Sequence, residues 1–317
     1  MNSYITMPSI LITGAAGFIG YHLQLQLQKK YRVSGIDLLE NPTPSVALRS
    51  VRLTDIKHAT IQSPFINQLH HKPDIMIHLA AETGISQSIH HPQKYFDTNV
   101  TGTYNILEQC RKNGVKYLIY ASSSSVYAPN QAVMLEDSDT SHQLSFYGTT
   151  KKMTELLIEN YCAQFGITAI GLRFFTVYGS FTRPDMAAYK FMQAINQEKE
   201  ITLYNNGHVM RDFTHVSDIV NSIELLIEKI VTEQPGTHLL FNIGFGKPVS
   251  VRTYAEKIAG LLEKRIEFNF KPLPSNELQS THSNSGRLHN YIGYRPHMTL
   301  DDGLKEMTDW FKTTRYE

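Results

Sequence analysis

Cysteine is nearly absent, with Cys110 and Cys162 the only two in 317 residues. Both fall in segments whose apolar spacing predicts helices, which suits small buried side chains and argues against a disulfide framework. No apolar run reaches the length that spans a bilayer, and Met1 to Met7 lack the charged start and apolar core of a signal peptide. The expectation is a cytoplasmic protein with no membrane partner. An excess of one charge is missing too. Lys plus Arg number 30 against 29 Asp plus Glu, a formal charge of +1, and no basic block points to nucleic acid. The 14 histidines include the pairs His70-His71 and His90-His91. Neighbouring helical residues do not share a face, and HExxH and CxxC spacings are lacking, so these read as exposed or loop histidines and no metal is expected. There is no internal repeat, and the one polar-rich stretch, Ser275 to Gly286, is too short for a linker.

What is present is a soluble globular composition, 41% hydrophobic and 19% charged, long enough for one or two domains. Its most informative segment runs from Ile10 to Gly20, where an apolar run breaks into Gly14, Gly17 and Gly20 and then into the amphipathic stretch Tyr21 to Lys30. A strand that ends in such a turn lets backbone N–H groups and a helix start approach a pyrophosphate. Glycine turns also arise for steric reasons alone. Here Tyr31 to Asp37 reads as a second strand, and Asp37 stands at its carboxyl end, the usual place for a ribose-binding carboxylate. Such a carboxylate would repel a 2′-phosphate, and Leu38, Leu39 and Glu40 offer no cation for one, so NAD is the expected cofactor.

Short apolar runs then alternate with longer periodic segments, the rhythm of a doubly wound α/β protein with a parallel sheet. Candidate strands are Asp74 to Leu79, Tyr117 to Ala121 and Thr168 to Phe174. A helix over Lys94 to Asn113 carries the stripe Phe96, Val100, Tyr104 and Leu107 and stops at Gly114; a second spans Tyr147 to Phe165 and stops at Gly166. Beyond Tyr178 the alternation loosens: Gly179 to Pro184 is loop-like, Ser217 to Val231 is an amphipathic helix, and Leu239 to Ile243 adds one more strand to the main sheet. The expected division is a Rossmann-type part over 1–178 with 212–245 returning to it, and a smaller interleaved α/β part over 179–211 and 246–317.

Two further features carry chemistry. Tyr147 and Lys151 are four residues apart, one helical turn on one face, where a cation stabilises a phenolate. The pair also occurs by chance on solvated helices. Upstream, the strand ending at Tyr120-Ala121 runs into Ser122, Ser123, Ser124 and Ser125, whose hydroxyls are expected to face the ligand crevice at the carboxyl edge of the sheet. A serine-rich turn can instead satisfy loose backbone groups. Glycine turn, Asp37, serine run and Tyr147/Lys151 in that order make coincidence a poor account.

In that order the chain resembles the extended short-chain dehydrogenase/reductases, specifically the nucleotide-sugar epimerases. GAAGFIG from Gly14 to Gly20, Ile77-His78-Leu79-Ala80-Ala81, Asn99, the serines before Val126-Tyr127, and Tyr147-x-x-x-Lys151 carry the likeness. The stretch Gly171 to Gly179, with Arg183-Pro184-Asp185-Met186-Ala187, Arg211-Asp212-Phe213-Thr214 and Asn242-Ile243-Gly244, looks most like the UDP-glucuronate 4-epimerases. The resemblance implies Tyr147 as the base at the sugar 4-hydroxyl, with Ser123 sharing its proton and Lys151 on the nicotinamide ribose. It implies cofactor contacts from Gly14, Gly17, Phe18, Ile19, Gly20, Asp37, Asp55, Ile56, Leu79, Ala80, Ala81, Asn99, Tyr147 and Lys151. Ser124 and Ser125 would lie close to the sugar, Thr176 and Arg183 would hold its carboxylate, and Arg211 would neutralise the diphosphate. A UDP-sugar substrate, a homodimer built on the two long helices, and a place in polysaccharide biosynthesis are implied as well.

Dehydratases of this likeness carry an Asp-Glu pair after the catalytic hydroxyl, and the decarboxylases a glutamate; here Ser124 and Ser125 stand there, which favours an epimerase. Departures bear on the sugar: Gly84-Ile85-Ser86 replaces Gly-Val-Arg, Glu82 a glutamine, Ala128 a glycine, and His282-Ser283-Asn284 a Tyr-Ala-Asp. Epimerisation of UDP-glucuronate to UDP-galacturonate through a 4-keto sugar is the leading expectation. UDP-glucose or UDP-N-acetylglucosamine is the alternative sugar. A reductase releasing a 4-keto product, or a non-catalytic NAD-binding regulatory protein, is the rival from another class; the latter typically lacks the Tyr/Lys pair.

Overall fold

The main sheet is made of short strands, of which Ser9–Thr13, Ile75–His78 and Thr168–Phe174 are buried at every residue, as parallel strands covered by helices must be. In chain order the strands are β1 (Ser9–Thr13), β2 (Arg32–Asp37), β3 (Ile56–His58), β4 (Ile75–His78), β5 (Tyr117–Ser123) and β6 (Thr168–Phe174), with β3 the polar exception; a seventh strand, His238–Ile243, completes the sheet. The computed structural model describes residues 8–39, 44–62 and 72–313. Residues 1–7, Glu40 and the pair His70-His71, to which some of the expectations above refer, lie outside the described residues. Across the sheet the order is His238–Ile243, β6, β5, β4, β1, β2, β3. β1 pairs in parallel with β2 and β4, β2 with β3, and β4 with β5. The chain therefore winds outward from β1 in one direction and returns to β4 on its other side. That reversal opens a crevice at the carboxyl ends of β1 and β4.

Packing divides the chain into two compact units. The first holds Met1–Ser122, Thr150–Leu172 and Ile223–Leu240; the second holds Ser123–Thr149, Arg173–Ser222 and Phe241–Glu317. Residues 123–149, 173–178, 212–222 and 241–245, grouped with the nucleotide-binding part from sequence, thus pack in the second unit. Their bonds explain why: Phe175 N–H donates to Ile243 O at 3.3 Å, Arg173 Nη1 to Glu136 O at 2.8 Å, and Asn242 N–H to the Glu136 carboxylate at 2.8 Å. The first unit's core joins Leu11, Met76, Ile106, Leu118, Ile158 and Ile167, including both free cysteines. The second unit's core is aromatic, with Phe213 stacked on Tyr254 at 4.0 Å and Tyr178, Met192, Leu304 and Trp310 around them. Each such buried side chain contributes roughly 1.5–3 kcal/mol of transfer free energy.

The expected helix over Lys94 to Asn113 is three pieces: Pro92–Tyr95, a π-helical turn Phe96–Thr101, and Gly102–Asn113. The wide turn shifts the register of the apolar stripe. Leu107 is fully buried, whereas Phe96 and Tyr104 are 39% and 46% exposed. The second long helix runs from Phe146 to Phe165 and ends at Gly166, in the left-handed region like Gly114. The helix after the glycine turn starts earlier than expected, at Phe18, and ends at Leu27. Among the described residues no helix is long and apolar enough to cross a membrane.

Candidate functional site

In the first unit the glycine turn closes on the strand beside it. Gly14 adopts φ of 71°, and a Cβ there would sit 2.7 Å from Ala80 N, so Leu79 and Ala80 at the carboxyl end of β4 lie against the turn and Ala81 follows them. Thr13 Oγ1 accepts the Ala80 N–H at 3.2 Å. Gly17 begins the helix from Phe18 with no side chain to cap it. The first N–H groups of the helix, those of Phe18, Ile19 and Gly20, have no partner in a preceding turn of it, an arrangement that suits an anion. Asp37, at the end of β2, accepts the Ala16 N–H and the Leu38 N–H, each at 2.8 Å. Burial pushes its carboxyl above the usual range, and those N–H groups and the Arg49 charge pull back.

Arg49 is a residue the sequence reading missed. It lies on the helix Pro44–Ser50, is 1% exposed, and donates from Nε to Ala16 O at 2.5 Å. Ala16 is thus held at both its N–H and its carbonyl. No local spacing links Arg49 to the glycine turn, so only the fold reveals it. Asp55 and Ile56 stand elsewhere than the resemblance implied. Asp55 precedes β3 at its amino end, where its carboxylate accepts the Ser34 hydroxyl at 2.6 Å. The ligand edge of a parallel sheet is the carboxyl edge. There β3 presents His58, whose Nδ1 accepts the Leu39 N–H at 2.9 Å, followed by Ala59 and Thr60.

The π turn centres on Asn99, which is buried. Its side chain accepts the Glu82 N–H at 2.8 Å and donates to Glu82 O and Thr150 Oγ1, each at 3.0 Å. Its carbonyl, released by the widened turn, takes the hydroxyls of Thr103 at 2.6 Å and Thr154 at 3.2 Å. Thr103 Oγ1 in turn meets His78 Nε2 at 3.1 Å, and His78 Nδ1 meets Thr13 Oγ1 at 2.7 Å. Burial, with the Lys151 charge nearby, lowers the His78 pKa to about 3, so the ring is neutral. Lys151 itself is 4% exposed and donates to Ala121 O at 2.9 Å; burial lowers its pKa to about 8. Ser122 corrects the expectation that all four serines face the crevice. Successive strand residues face opposite ways, and its hydroxyl donates inward to Glu155 at 2.6 Å.

The second unit carries the remaining serines and Tyr147. Ser123 ends β5 and caps the short turn Ser124–Val126, its Oγ accepting the Ser125 N–H at 3.1 Å. Ser124 and Ser125 are half-buried beside it. Tyr147 begins the helix Phe146–Phe165 and hydrogen-bonds Ser123. Burial raises the Tyr147 pKa, while the Ser123 bond and the Arg183 charge lower it. Gly148, inside the Tyr-x-x-x-Lys motif, was not singled out from sequence. A Cβ there would run into the Ser125 carbonyl, so a glycine is what lets the helix start approach the serine turn.

Thr176, half-buried, donates its N–H to Asp212 O at 3.0 Å, on the strand Thr176–Tyr178 paired with Phe213–His215. Asp212 is fully buried and organises this corner. Its carboxylate accepts the N–H groups of Phe245, Gly246 and Ser283 at 3.0–3.1 Å, and the Ser283 hydroxyl at 2.5 Å. Arg183 forms a two-pronged pair with Asp185, Nε to Oδ1 at 2.9 Å and Nη2 to Oδ2. Arg211 donates from Nη2 to Glu277 at 3.0 Å and from Nη1 to Met210 O at 2.9 Å. Of the departures, Glu82 is paired with Lys94 at 2.9 Å in the first unit.

The glycine turn against Ala80, the uncapped helix start and Asp37 fit a dinucleotide: backbone room that a Cβ would fill, donors for a pyrophosphate, and an acceptor for ribose hydroxyls. Half-buried Tyr147 with Ser123, one turn from Lys151, is a phenol suited to proton transfer at the carboxyl end of β5. Sheet order and these residues define a Rossmann-type, nucleotide-dependent enzyme. The chain belongs to the NAD dependent epimerase/dehydratase family, whose model matches residues 10–244. It is similar to Protein CapI of Staphylococcus aureus, 37% identical over 330 residues that cover 95% of this chain and 98% of that protein. It is similar to the UDP-glucuronate 4-epimerase of Thermodesulfobacterium geofontis, 32% identical over 315 residues and 95% of each chain. Among solved structures, UDP-glucuronic acid 4-epimerase from Bacillus cereus in complex with UDP-glucuronic acid and NAD matches with a TM-score of 0.86 at 32% identity. That match covers 96% of this chain and 99% of the other.

Proposed function

We propose that this chain is an NAD-dependent UDP-sugar 4-epimerase that interconverts UDP-glucuronate and UDP-galacturonate through a 4-keto sugar. The observation that carries the reading is Tyr147: half-buried, hydrogen-bonded to Ser123, and one turn from Lys151 on the same helix. The family supports the cofactor, and relatives named as UDP-glucuronate 4-epimerases support the sugar. In this reading the first unit holds NAD and the second the UDP-sugar.

Tyr147 takes the proton of the sugar 4-hydroxyl, Ser123 shares that proton, and Lys151 holds the nicotinamide ribose. When bound, NAD supplies the hydride acceptor at C4 and the hydride that returns to the other face. Gly14, Gly17, Phe18, Ile19 and Gly20 cradle its pyrophosphate, and Asp37 reads its ribose. Leu79, Ala80 and Ala81 wall the site, and Asn99 fixes the chain at Glu82. With a uronic acid, the oxidised sugar is a β-keto acid prone to lose CO2. Thr176 and Arg183 hold the carboxylate against that loss, Ser124 and Ser125 flank the sugar, and Arg211 meets the diphosphate, since an Arg fork matches such anions. Ser124 and Ser125 stand where dehydratases carry the acids that eliminate water, which favours epimerisation.

A neutral UDP-hexose is the second reading, favoured by the pairing of Arg183 with Asp185, which gives the fork a carboxylate without a uronate. The proposal extends to a cytoplasmic homodimer serving polysaccharide biosynthesis. The dimer draws support from Phe96, Tyr104, Met153, Leu156 and Phe165, large apolar side chains of the first unit's two long helices that are exposed. The test is to incubate the purified protein, with no added cofactor, separately with UDP-glucuronate, UDP-glucose and UDP-N-acetylglucosamine, following anomeric protons by NMR. Conversion of UDP-glucuronate is expected; conversion of the neutral sugars alone overturns the uronate assignment.

A further inference from the structure

Both arginines assigned to substrate anions already hold a carboxylate of this chain. Arg183 presents Nε and Nη2 to the two oxygens of Asp185, the geometry a uronate carboxylate would need. Asp185 is two residues away and its side chain is 56% exposed, against 27% for Arg183, so the acid can swing out to water while the guanidinium stays. Arg211 holds Glu277 through Nη2, with side-chain exposures of 18% and 28%. The Arg183 charge is also one of the causes that lower the Tyr147 pKa.

We propose that Asp185 and Glu277 are internal stand-ins for the substrate's carboxylate and diphosphate, each holding its arginine ready and displaced by the corresponding anion. Asp185 is then a specificity residue. It sets a threshold that a neutral hexose does not need to cross and a uronate must, because only the uronate competes for the fork. Glu277 opposes every UDP-sugar alike, since the diphosphate is common to all. The inference rests on the roles proposed above for Arg183 and Arg211. It also accounts for how Arg183 keeps its guanidinium paired when no sugar is bound.

The experiment measures calorimetric affinities of the NAD-loaded protein for UDP, UDP-glucose and UDP-glucuronate in a Tyr147→Phe background, which stops turnover. Removing an exposed competing ion pair is worth about a two- to fivefold change in affinity. Asp185→Asn is expected to tighten UDP-glucuronate by that factor and to leave UDP and UDP-glucose unmoved; Glu277→Gln is expected to tighten all three together. An Asp185→Asn variant that weakens UDP-glucuronate, or shifts all three equally, overturns the inference, since Asp185 then only braces its loop. Asp185→Ser gives the same comparison if the amide variant folds poorly. Wild-type protein that fails to convert UDP-glucuronate removes the proposed function itself, whereas conversion with a flat Asp185→Asn response removes this inference alone.

Discussion

The Asp37 carboxylate accepts the Ala16 N–H at 2.8 Å, so the residue proposed to read the cofactor ribose also fastens the glycine turn proposed to receive the pyrophosphate. Arg49 holds the carbonyl of the same residue. Asp37→Ala removes an acceptor from a buried N–H, a loss of about 1–3 kcal/mol. Bound NAD should fall at least tenfold while discrimination against NADP relaxes. Fluorescence titration with both nucleotides checks this, and unchanged NAD affinity would count against the assignment.

Tyr147→Phe deletes the proton-transferring hydroxyl and leaves the ring packed. Turnover should drop by roughly 10²–10⁴-fold, the usual worth of a general base, with NAD still bound. Ser123→Ala should give a smaller loss of kcat. Burial places the Lys151 pKa at about 8, so the ammonium is charged below that pH and neutral above it. Activity that depends on the charge therefore falls as pH rises through about 8. A pH profile of kcat reads this limb, and Lys151→Met should lack it.

His78 makes stability depend on acid. Its pKa is lowered from 6.5 to about 3, so between those values the unfolded chain binds a proton that the folded chain refuses. Stability contributed by the neutral ring is full above pH 6.5 and is lost as pH falls toward 3. Urea titrations at pH 7 and pH 4 should show a loss on the order of 3 kcal/mol from this group. His78→Gln keeps polar contacts to Thr13 and Thr103 and should lose less stability over the same interval.

Gly148→Ala places a methyl against the Ser125 carbonyl, and overpacking of this kind costs about 1–3 kcal/mol. Because the strain falls between the serine turn and the start of the Tyr147 helix, kcat should fall along with the melting temperature. Gly260→Ala, where a Cβ meets nothing within 4 Å, is the matched control and should change neither by much.

The sheet was legible where burial writes a long signature: β1, β4 and β6 are apolar runs whose limits the periodicity gave to within a residue or so. β3 was not, because Ile56–His58 is three residues and largely polar, and the resemblance alone, which implies cofactor contacts from Asp55 and Ile56, does not show that His58 ends the strand. The π turn was hidden because its widening leaves sequence spacing intact while moving Phe96 and Tyr104 off the buried face. In the site, Tyr147, Ser123 and the glycine turn were readable because each belongs to a local pattern. Arg49 on Ala16, Gly148 on Ser125, and Glu277 on Arg211 join segments far apart in the chain or depend on a missing side chain, and no local pattern encodes them.

In the proposed reaction the hydride removed from C4 is returned to the same carbon without leaving the protein. UDP-glucuronate carrying deuterium at C4, incubated with the protein as purified and excess unlabelled NADH, tests it by mass spectrometry of the UDP-galacturonate formed. Full retention of deuterium at C4 of the product is expected. Loss of the label to solvent or its dilution by the free cofactor would contradict it.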